Sequence, residues 1–177
     1  LYYLGPMFRH ERPQKGRYRQ FHQIGAEVIG AASPEADAEI IALLWAFLGE
    51  IQLEGIRLEL TSLGCRDCRP GYLALLQTFA AEHAAELCEN CNRRRVTNPL
   101  RILDCKVERC RAALADAPLM PEHLCAACSA HHAGVERLLG TLAIPYAANP
   151  RIVRGLDYYV RTAFEVTTDR LGSQNAV

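Results

Sequence analysis

Eight cysteines carry the densest chemical signal in this 177-residue sequence, and they fall into four short-spaced pairs: Cys65/Cys68, Cys88/Cys91, Cys105/Cys110 and Cys125/Cys128. Two such pairs brought together make the tetrahedral four-thiolate set that zinc prefers. Paired short spacings without a secretory leader read as metal ligands rather than a disulfide framework; the alternative is reduced thiols packed in a small core. If residues 71–87 form one straight helix, it is about 25 Å long at 1.5 Å per residue. Cys65/Cys68 and Cys88/Cys91 then sit at opposite ends and cannot share an ion. The favoured grouping is Cys65, Cys68, Cys105 and Cys110 in one site, with Cys88, Cys91, Cys125 and Cys128 in the other. The first pair with the fourth, and the second with the third, remains the open alternative. A closed Zn2+ site of this kind excludes substrate and serves folding stability.

The second constellation is cationic. Arg9, Arg12, Lys15, Arg17 and Arg19 crowd one stretch whose only acid is Glu11. Five positive charges on and beside one hairpin suit a polyanion such as a nucleoside triphosphate or an RNA backbone; the alternative is a solvated basic loop. Arg9 lies within a strand-like run, where an unpaired guanidinium is costly, so it calls for an anionic partner, with Glu11 as the structural candidate. Gln23 and Glu27 are four apart and face the same side of a regular strand. Tyr158 and Tyr159 offer phenolic hydroxyls, or ordinary strand packing. The six histidines show no catalytic spacing.

The elements that must position these groups follow from patterning. Residues 1–11 and 20–30 read as strands around the basic loop, an antiparallel pair. Ser33-Pro34-Glu35 is a helix start, and apolar residues from Ile40 to Ile51 recur at helical spacing. Residues 57–61 alternate as a strand that ends at Gly64. Helices are expected over about 70–87 and 122–142, and strands over 152–160 and 163–167 that return to the first sheet. Mostly antiparallel sheet with helices attached is α+β. The cysteine-bearing stretch interrupts this sheet as an inserted helical module, giving divisions at 1–64, 65–147 and 148–177.

Composition narrows the class. The chain is 50% hydrophobic and 23% charged, which argues for a globular protein, and 20 Lys+Arg balance 20 Asp+Glu, which argues against a broadly polybasic one. No apolar run reaches the roughly 20 residues of a membrane span. A start at Leu1 without Met, inside a strand-like run, reads as an interior piece of a longer protein.

Two long stretches carry a family resemblance. Phe8-Arg-His-Glu-Arg-Pro-Gln-Lys-Gly-Arg-Tyr-Arg-Gln-Phe-His-Gln-Ile-Gly-Ala-Glu27 resembles motif 2 of class II aminoacyl-tRNA synthetases, in the version of the histidyl-tRNA synthetases. Val153-Arg-Gly-Leu-Asp-Tyr-Tyr-Val-Arg-Thr-Ala-Phe-Glu165 resembles the histidine-specific motif of the same family. Thr61-Ser-Leu-Gly64, Asn98-Pro-Leu-Arg-Ile-Leu-Asp104 and Ala117-Pro118 resemble it between them. The resemblance implies a class II synthetase-type antiparallel sheet flanked by helices. It implies ATP-dependent activation of L-histidine, with Mg2+, to histidyl-adenylate, and transfer to the 3′ end of histidine tRNA by a cytoplasmic homodimer.

By the same resemblance Arg9 and Arg154 grip the α-phosphate, Glu11 meets the adenine end and Arg17 reaches the outer phosphates. Gln23, Glu27, Tyr158 and Tyr159 line the histidine pocket with Arg9 and Arg154, and buried polar contacts of that kind reject look-alike substrates. The cysteine module resembles the insertion domain that lies toward the tRNA acceptor stem, where Arg93-Arg-Arg95 could meet phosphate; the alternative is a solvated basic run. Motif 1, motif 3 and an anticodon-binding domain have no match here, so the isolated chain is expected to show little or no aminoacylation; robust tRNA charging by these 177 residues would overturn that expectation. The rival reading is the non-catalytic, histidine-sensing regulatory subunit of ATP phosphoribosyltransferase, expected to lack the ATP-handling arginines. A plain zinc-ribbon interaction module accounts for the cysteines but for neither end of the chain.

Overall fold

An aromatic-rich, strand-favouring run at the start of the chain builds a hairpin. In the computed structural model, which describes residues 1–10, 12–13, 17–153 and 158–170, β1 (Tyr2–Phe8) and β2 (Gln20–Ala26) pair antiparallel. Tyr3 stands opposite Gly25, Gly5 opposite Gln23 and Met7 opposite Phe21. Backbone bonds from Arg9 N–H to Arg19 O and from Glu27 N–H to Leu1 O, both 2.8 Å, extend the pairing past each end.

α1 (Pro34–Glu50) begins where Pro34 presets the first turn and Glu35 and Asp37 oppose the positive end of the helix dipole. Ser33 occupies the N-cap position, but its hydroxyl makes no cap hydrogen bond, so proline and charge define this start. Ala38, Ile41 and Leu48 are buried, whereas Leu43, Phe47 and Ile51 of the same apolar run are exposed.

A second sheet has the order β4-β3-β5, from β3 (Arg57–Ser62), β4 (Tyr146–Ala148) and β5 (Thr162–Thr167). Leu58 and Leu60 alternate into the interior at 1% exposure. The expected return of the late strands to the first sheet is therefore corrected: β5 pairs with β3, and β1–β2 stays two-stranded. The expected strand over 152–160 is corrected too, since none of its described residues is in a strand. Asn149 diverts that backbone: its side-chain oxygen accepts the Arg151 N–H at 3.0 Å and its carbonyl accepts the Ile152 N–H at 3.2 Å. A turn thus uses the donors that a ladder needs.

The chain divides into two compact units, one of Leu1–Leu58, Gly134–Tyr146 and Glu165 onward, the other of Glu59–Ala133 and Ala147–Phe164. Helices dominate the second: α2 (Arg69–Glu82), α3 (Glu89–Thr97) and α4 (Glu108–Ala113), with short 3-10 turns at Pro99–Ile102 and Met120–His123. α5 (Ala126–Thr141) follows them in sequence. The helix expected over 70–87 ends five residues early. There His83 turns back, its ring stacked 4.3 Å from Phe79, and the Asn92 amide takes the Ala84 and Leu87 carbonyls. The helix expected from 122 starts at Ala126, because Leu124 is extended (ψ 139).

One core cluster of this unit includes Tyr72, Leu76, Ala80, Leu87, Ile102 and Leu114, with Cys91 and Cys110 among its members, and Leu63, Ile152 and Ala163 form another. Tyr72 donates its hydroxyl to Pro118 O at 3.1 Å, and burial pushes its pKa up to about 12. Arg151 clasps the end of α4 through Leu114 O and Ala115 O at 2.9 and 2.7 Å. Leu76 is 0% exposed and Leu75 beside it 49%. Leu76→Ala is therefore expected to lower unfolding stability by about 3 kcal/mol and Leu75→Ala by less than about 0.5, read from urea melts of both variants.

Candidate functional site

Register decides which hairpin side chains meet. Opposed residues of an antiparallel pair share a face, so Tyr3, Gly5 and Met7 of β1 lie on one face with Phe21, Gln23 and Gly25 of β2, and Arg9 continues the alternation. The Arg9 guanidinium carbon stands 3.8 Å over the Phe21 ring centroid, a cation–π seat. Its Nε is buried and makes no hydrogen bond among the described residues. Gln23 donates from Nε2 to the Tyr3 hydroxyl at 2.6 Å. That bond depends on Gly25, because a Cβ there would lie 2.3 Å from Cζ of the Tyr3 ring.

Arg9 and Gln23 are thus brought onto one face, held by Phe21 and Tyr3. Glu27 belongs to the opposite end of the hairpin, where it bonds Leu1 through both backbone groups, its carbonyl accepting from the Leu1 backbone nitrogen at 2.8 Å. It lines a cleft of about 400 Å³ with Leu1, Val28 and, from α1, Glu39, Ile40 and Leu43. Arg17 is half-buried in the loop that joins β1 to β2. Glu11, Lys15 and Arg154 lie outside the described residues. Tyr158 and Tyr159 belong to the second unit, with ring centroids 4.9 Å apart and 68% and 43% exposure. The Tyr159 carbonyl accepts from Nη2 of Arg69.

All eight cysteines are free thiols, gathered into two sets of four. One set is Cys65, Cys68, Cys125 and Cys128, the other Cys88, Cys91, Cys105 and Cys110, and within each set the sulfurs lie within 4.8 Å of one another. The favoured sequence grouping is corrected: the first pair meets the fourth and the second meets the third. Separating Cys65/Cys68 from Cys88/Cys91 holds, but the return of the chain was assigned to the wrong end. α3 carries the chain away from Cys88, and the Pro99–Ile102 turn packs back on α3, so Cys105 and Cys110 arrive where α3 began. There the Cys88 N–H donates to Cys110 Sγ at 3.0 Å and Arg109 Nη2 to Leu87 O at 3.3 Å.

Sulfur separations of 3.6 Å (Cys65–Cys68), 3.8 Å (Cys65–Cys125) and 4.0 Å (Cys88–Cys105) match the tetrahedron edge of about 3.8 Å set by a zinc–sulfur bond of about 2.3 Å. They far exceed the ~2.05 Å of a disulfide. Gly64 makes room for the first set: its φ is +65 and a Cβ would meet Cys68 Sγ at 2.8 Å and Met120 Cε at 2.4 Å. Backbone N–H groups aim at sulfur as in a metal knuckle, Cys65 N–H to Cys68 Sγ at 3.1 Å and Asp67 N–H to Cys65 Sγ at 3.4 Å.

Ionisation is uneven within each set. The Cys68 and then the Asp67 N–H hold the Cys65 thiol down at about 7, and the Cys91 N–H does the same for Cys88. Burial pushes Cys128 up to about 12, and raises Cys91 and Cys110.

A family model described as histidyl-tRNA synthetase matches residues 1–176. The chain belongs to the histidyl-tRNA synthetase family. The histidine–tRNA ligase of Oleidesulfovibrio alaskensis is 57% identical over 178 aligned residues, which cover 100% of this chain and 43% of that protein. The chain therefore spans under half the length of this relative. The apo histidyl-tRNA synthetase of S. aureus shares the fold with a TM-score of 0.71 at 36% identity, over 95% of this chain and 38% of that one. A Bacillus halodurans protein described as an ATP phosphoribosyltransferase regulatory subunit/histidyl-tRNA synthetase aligns with a TM-score of 0.59 at 17% identity, over 98% of this chain and 48% of that one, a likeness of fold alone. Membership of a class II synthetase family accords with the α+β architecture and its cysteine-rich cluster. No helix among the described residues is long and apolar enough to cross a membrane.

Sequence reasoning passed over Tyr3, Phe21 and Arg69. Phe21 stood only as an apolar strand residue, and the signal for Tyr3 is the cross-strand glycine that its ring covers. The two sulfur sets make a stoichiometric prediction. Cobalt(II) added anaerobically to the reduced, metal-free protein is expected to saturate at two equivalents per chain, one for each set, with thiolate-to-cobalt charge-transfer absorption. Saturation at one equivalent, or no such absorption, would mean that a set is only packed thiol.

Proposed function

We propose that this span works in an ATP-dependent histidine–tRNA ligase. The carrying observation is the hairpin face on which a guanidinium, Arg9, is seated on Phe21 beside a hydrogen-bonded amide, Gln23, within a chain of that family. Residues 1–64 and 148–177 contribute to the catalytic domain and residues 65–147 form a module inserted in it.

In the first step a carboxylate oxygen of L-histidine attacks the α-phosphorus of ATP, the bond to the β-phosphate oxygen breaks, and pyrophosphate leaves. In the second a hydroxyl of the 3′-terminal adenosine of histidine tRNA attacks the activated carbonyl and AMP leaves. Both steps concentrate negative charge on oxygen, so fixed positive charge at the phosphorus is the main requirement. Arg9 meets it from a position already desolvated against Phe21, and Arg154 is assigned the same phosphoryl group by its motif. Arg17 is assigned the outer phosphates and Glu11 the adenine end. Mg2+ bound with ATP supplies further neutralisation of phosphate charge. A substrate carboxylate is already a nucleophile and needs no general base.

Gln23, Glu27, Tyr158 and Tyr159, with Arg9 and Arg154, are assigned to histidine, whose ammonium and imidazole offer donors. The Gln23 amide is already oriented by Tyr3, which supports this assignment. The cysteine sets hold structural Zn2+, an assignment supported by their sulfur spacing. The Arg93–Arg95 run is assigned to tRNA phosphate, with two of its guanidiniums locally braced by Asn90 and Asn92. A cytoplasmic homodimer completes the reading.

Histidine-dependent exchange of pyrophosphate into ATP by the full-length encoded protein tests it. Arg9→Ala is expected to lower the exchange kcat by about 100-fold or more. Histidine binding in calorimetry, with neither ATP binding nor exchange, would favour the regulatory-subunit reading instead.

A further inference from the structure

The two sulfur sets differ in their surroundings. The Cys88 set is part of the module core, with Cys91 and Cys110 as core members. The Cys65 set lies at the first turn of α2, and the residue that follows its second ligand, Arg69, reaches away from it. The Arg69 N–H donates to Cys65 O at 3.1 Å, so the backbone of this arginine is fixed by the Cys65–Cys68 knuckle. Its guanidinium spans two carbonyls, with Nε donating to Leu63 O at 3.2 Å and Nη2 donating to Tyr159 O. Leu63 and Gly64 are themselves tied to the segment after the tyrosines, Leu63 N–H to Arg161 O and Arg161 N–H to Gly64 O, both at 2.7 Å. Arg161 sits in the left-handed region at φ 59, a conformation that persists where neighbouring contacts over-determine it.

We propose that the Cys65–Cys68–Cys125–Cys128 centre, loaded with zinc, and Arg69 together form a positioning device for Tyr158 and Tyr159. It rests on the reading of those tyrosines as histidine ligands. The residues 158–160 lie outside any strand, so ladder bonds do not set their position. A planar guanidinium holding two carbonyls fixes their separation and orientation in a way that a lysine ammonium does not. Its own anchor is only as rigid as the knuckle, and four thiols at van der Waals separation are not tied to one another. A metal ion would join Cys65 and Cys68 to Cys125, 60 residues away, and lock the first turn of α2. Arg69 is a positioning residue, since its guanidinium holds the Leu63 and Tyr159 carbonyls and acts on substrate through Tyr159.

The test uses the full-length encoded protein, measuring zinc content and histidine-dependent pyrophosphate exchange. Arg69→Ala is expected to keep two zinc ions per chain while raising the KM for histidine about tenfold or more, with the KM for ATP changed by less than about twofold. Cys125→Ser is expected to lose one ion of the two and to give the same histidine-selective rise. An unchanged histidine KM in Arg69→Ala, an equal rise in both KM values, or loss of zinc from that variant would overturn the proposal. So would full recovery by Arg69→Lys. A wild-type protein with no histidine-dependent exchange would overturn the functional reading and this inference with it; an active wild type with an unmoved Arg69→Ala overturns this inference alone.

Discussion

Four sulfur atoms held within 4.8 Å of one another repel once more than one is ionised, and as thiols they attract one another only weakly. A chain that nevertheless converges twice on this arrangement has organised its second unit around it. Cys91 and Cys110 sit among Leu76, Ile102 and Leu114 as members of the same core, so the apolar packing and the ligand geometry cannot be varied separately. The helices that supply these residues are short, nine residues in α3 and six in α4. Such lengths are marginal as isolated helices, and tertiary contacts at their sulfur-bearing ends compensate. Gly64, with its positive φ and its close approach to Cys68, shows how tightly the neighbouring backbone is fitted to this constraint.

The hairpin obeys a different economy. Its working face keeps a cation on an aromatic ring, 3.8 Å from centroid to guanidinium carbon. A ring face steadies the charge without neutralising it as a carboxylate would, so it remains available to an incoming anion. The neighbouring amide is held by a phenol instead of by backbone. Both devices orient a polar group in advance of any ligand, which is the condition for lowering a barrier rather than merely binding. In the second unit a guanidinium likewise grips backbone, the Tyr159 carbonyl.

Long, periodic segments were legible in the sequence: β1, β2, α1, β3 and β5 lie where alternation or helical spacing puts them. The eight cysteines were legible from their spacing, but their partnering was not. That depended on where α3 turns back, and α3 is too polar and short to announce itself by periodicity. Likewise α4 and β4 are brief elements stabilised by what they touch. The strand expected over 152–160 failed because Asn149 redirects hydrogen bonds locally, and such side-chain competition is invisible to a hydrophobic pattern. Gln23 and Glu27 could be placed on one side of a strand by counting. That Arg9 joins Gln23, supported by Phe21 and Tyr3, required the register, which only three-dimensional pairing supplies.

The way the cysteine pairs combine bears on how the polypeptide is made. The inner set spans 22 residues between Cys88 and Cys110, and the outer set encloses it, joining Cys65 to Cys125 across 60. Such parentheses within parentheses allow the inner bracket to shut as soon as its residues leave the ribosome, before Cys125 has emerged. Closing the wider span costs only about 0.9 kcal/mol more in chain entropy, and less still when its middle is already condensed. A crossed arrangement would also complete its first set at Cys110, but around a longer loop that begins at Cys65. The outer bracket also returns the stretch to the point where it departed, so the bead between Cys65 and Cys128 could grow, shrink or be exchanged during evolution while the strands that flank it keep their places.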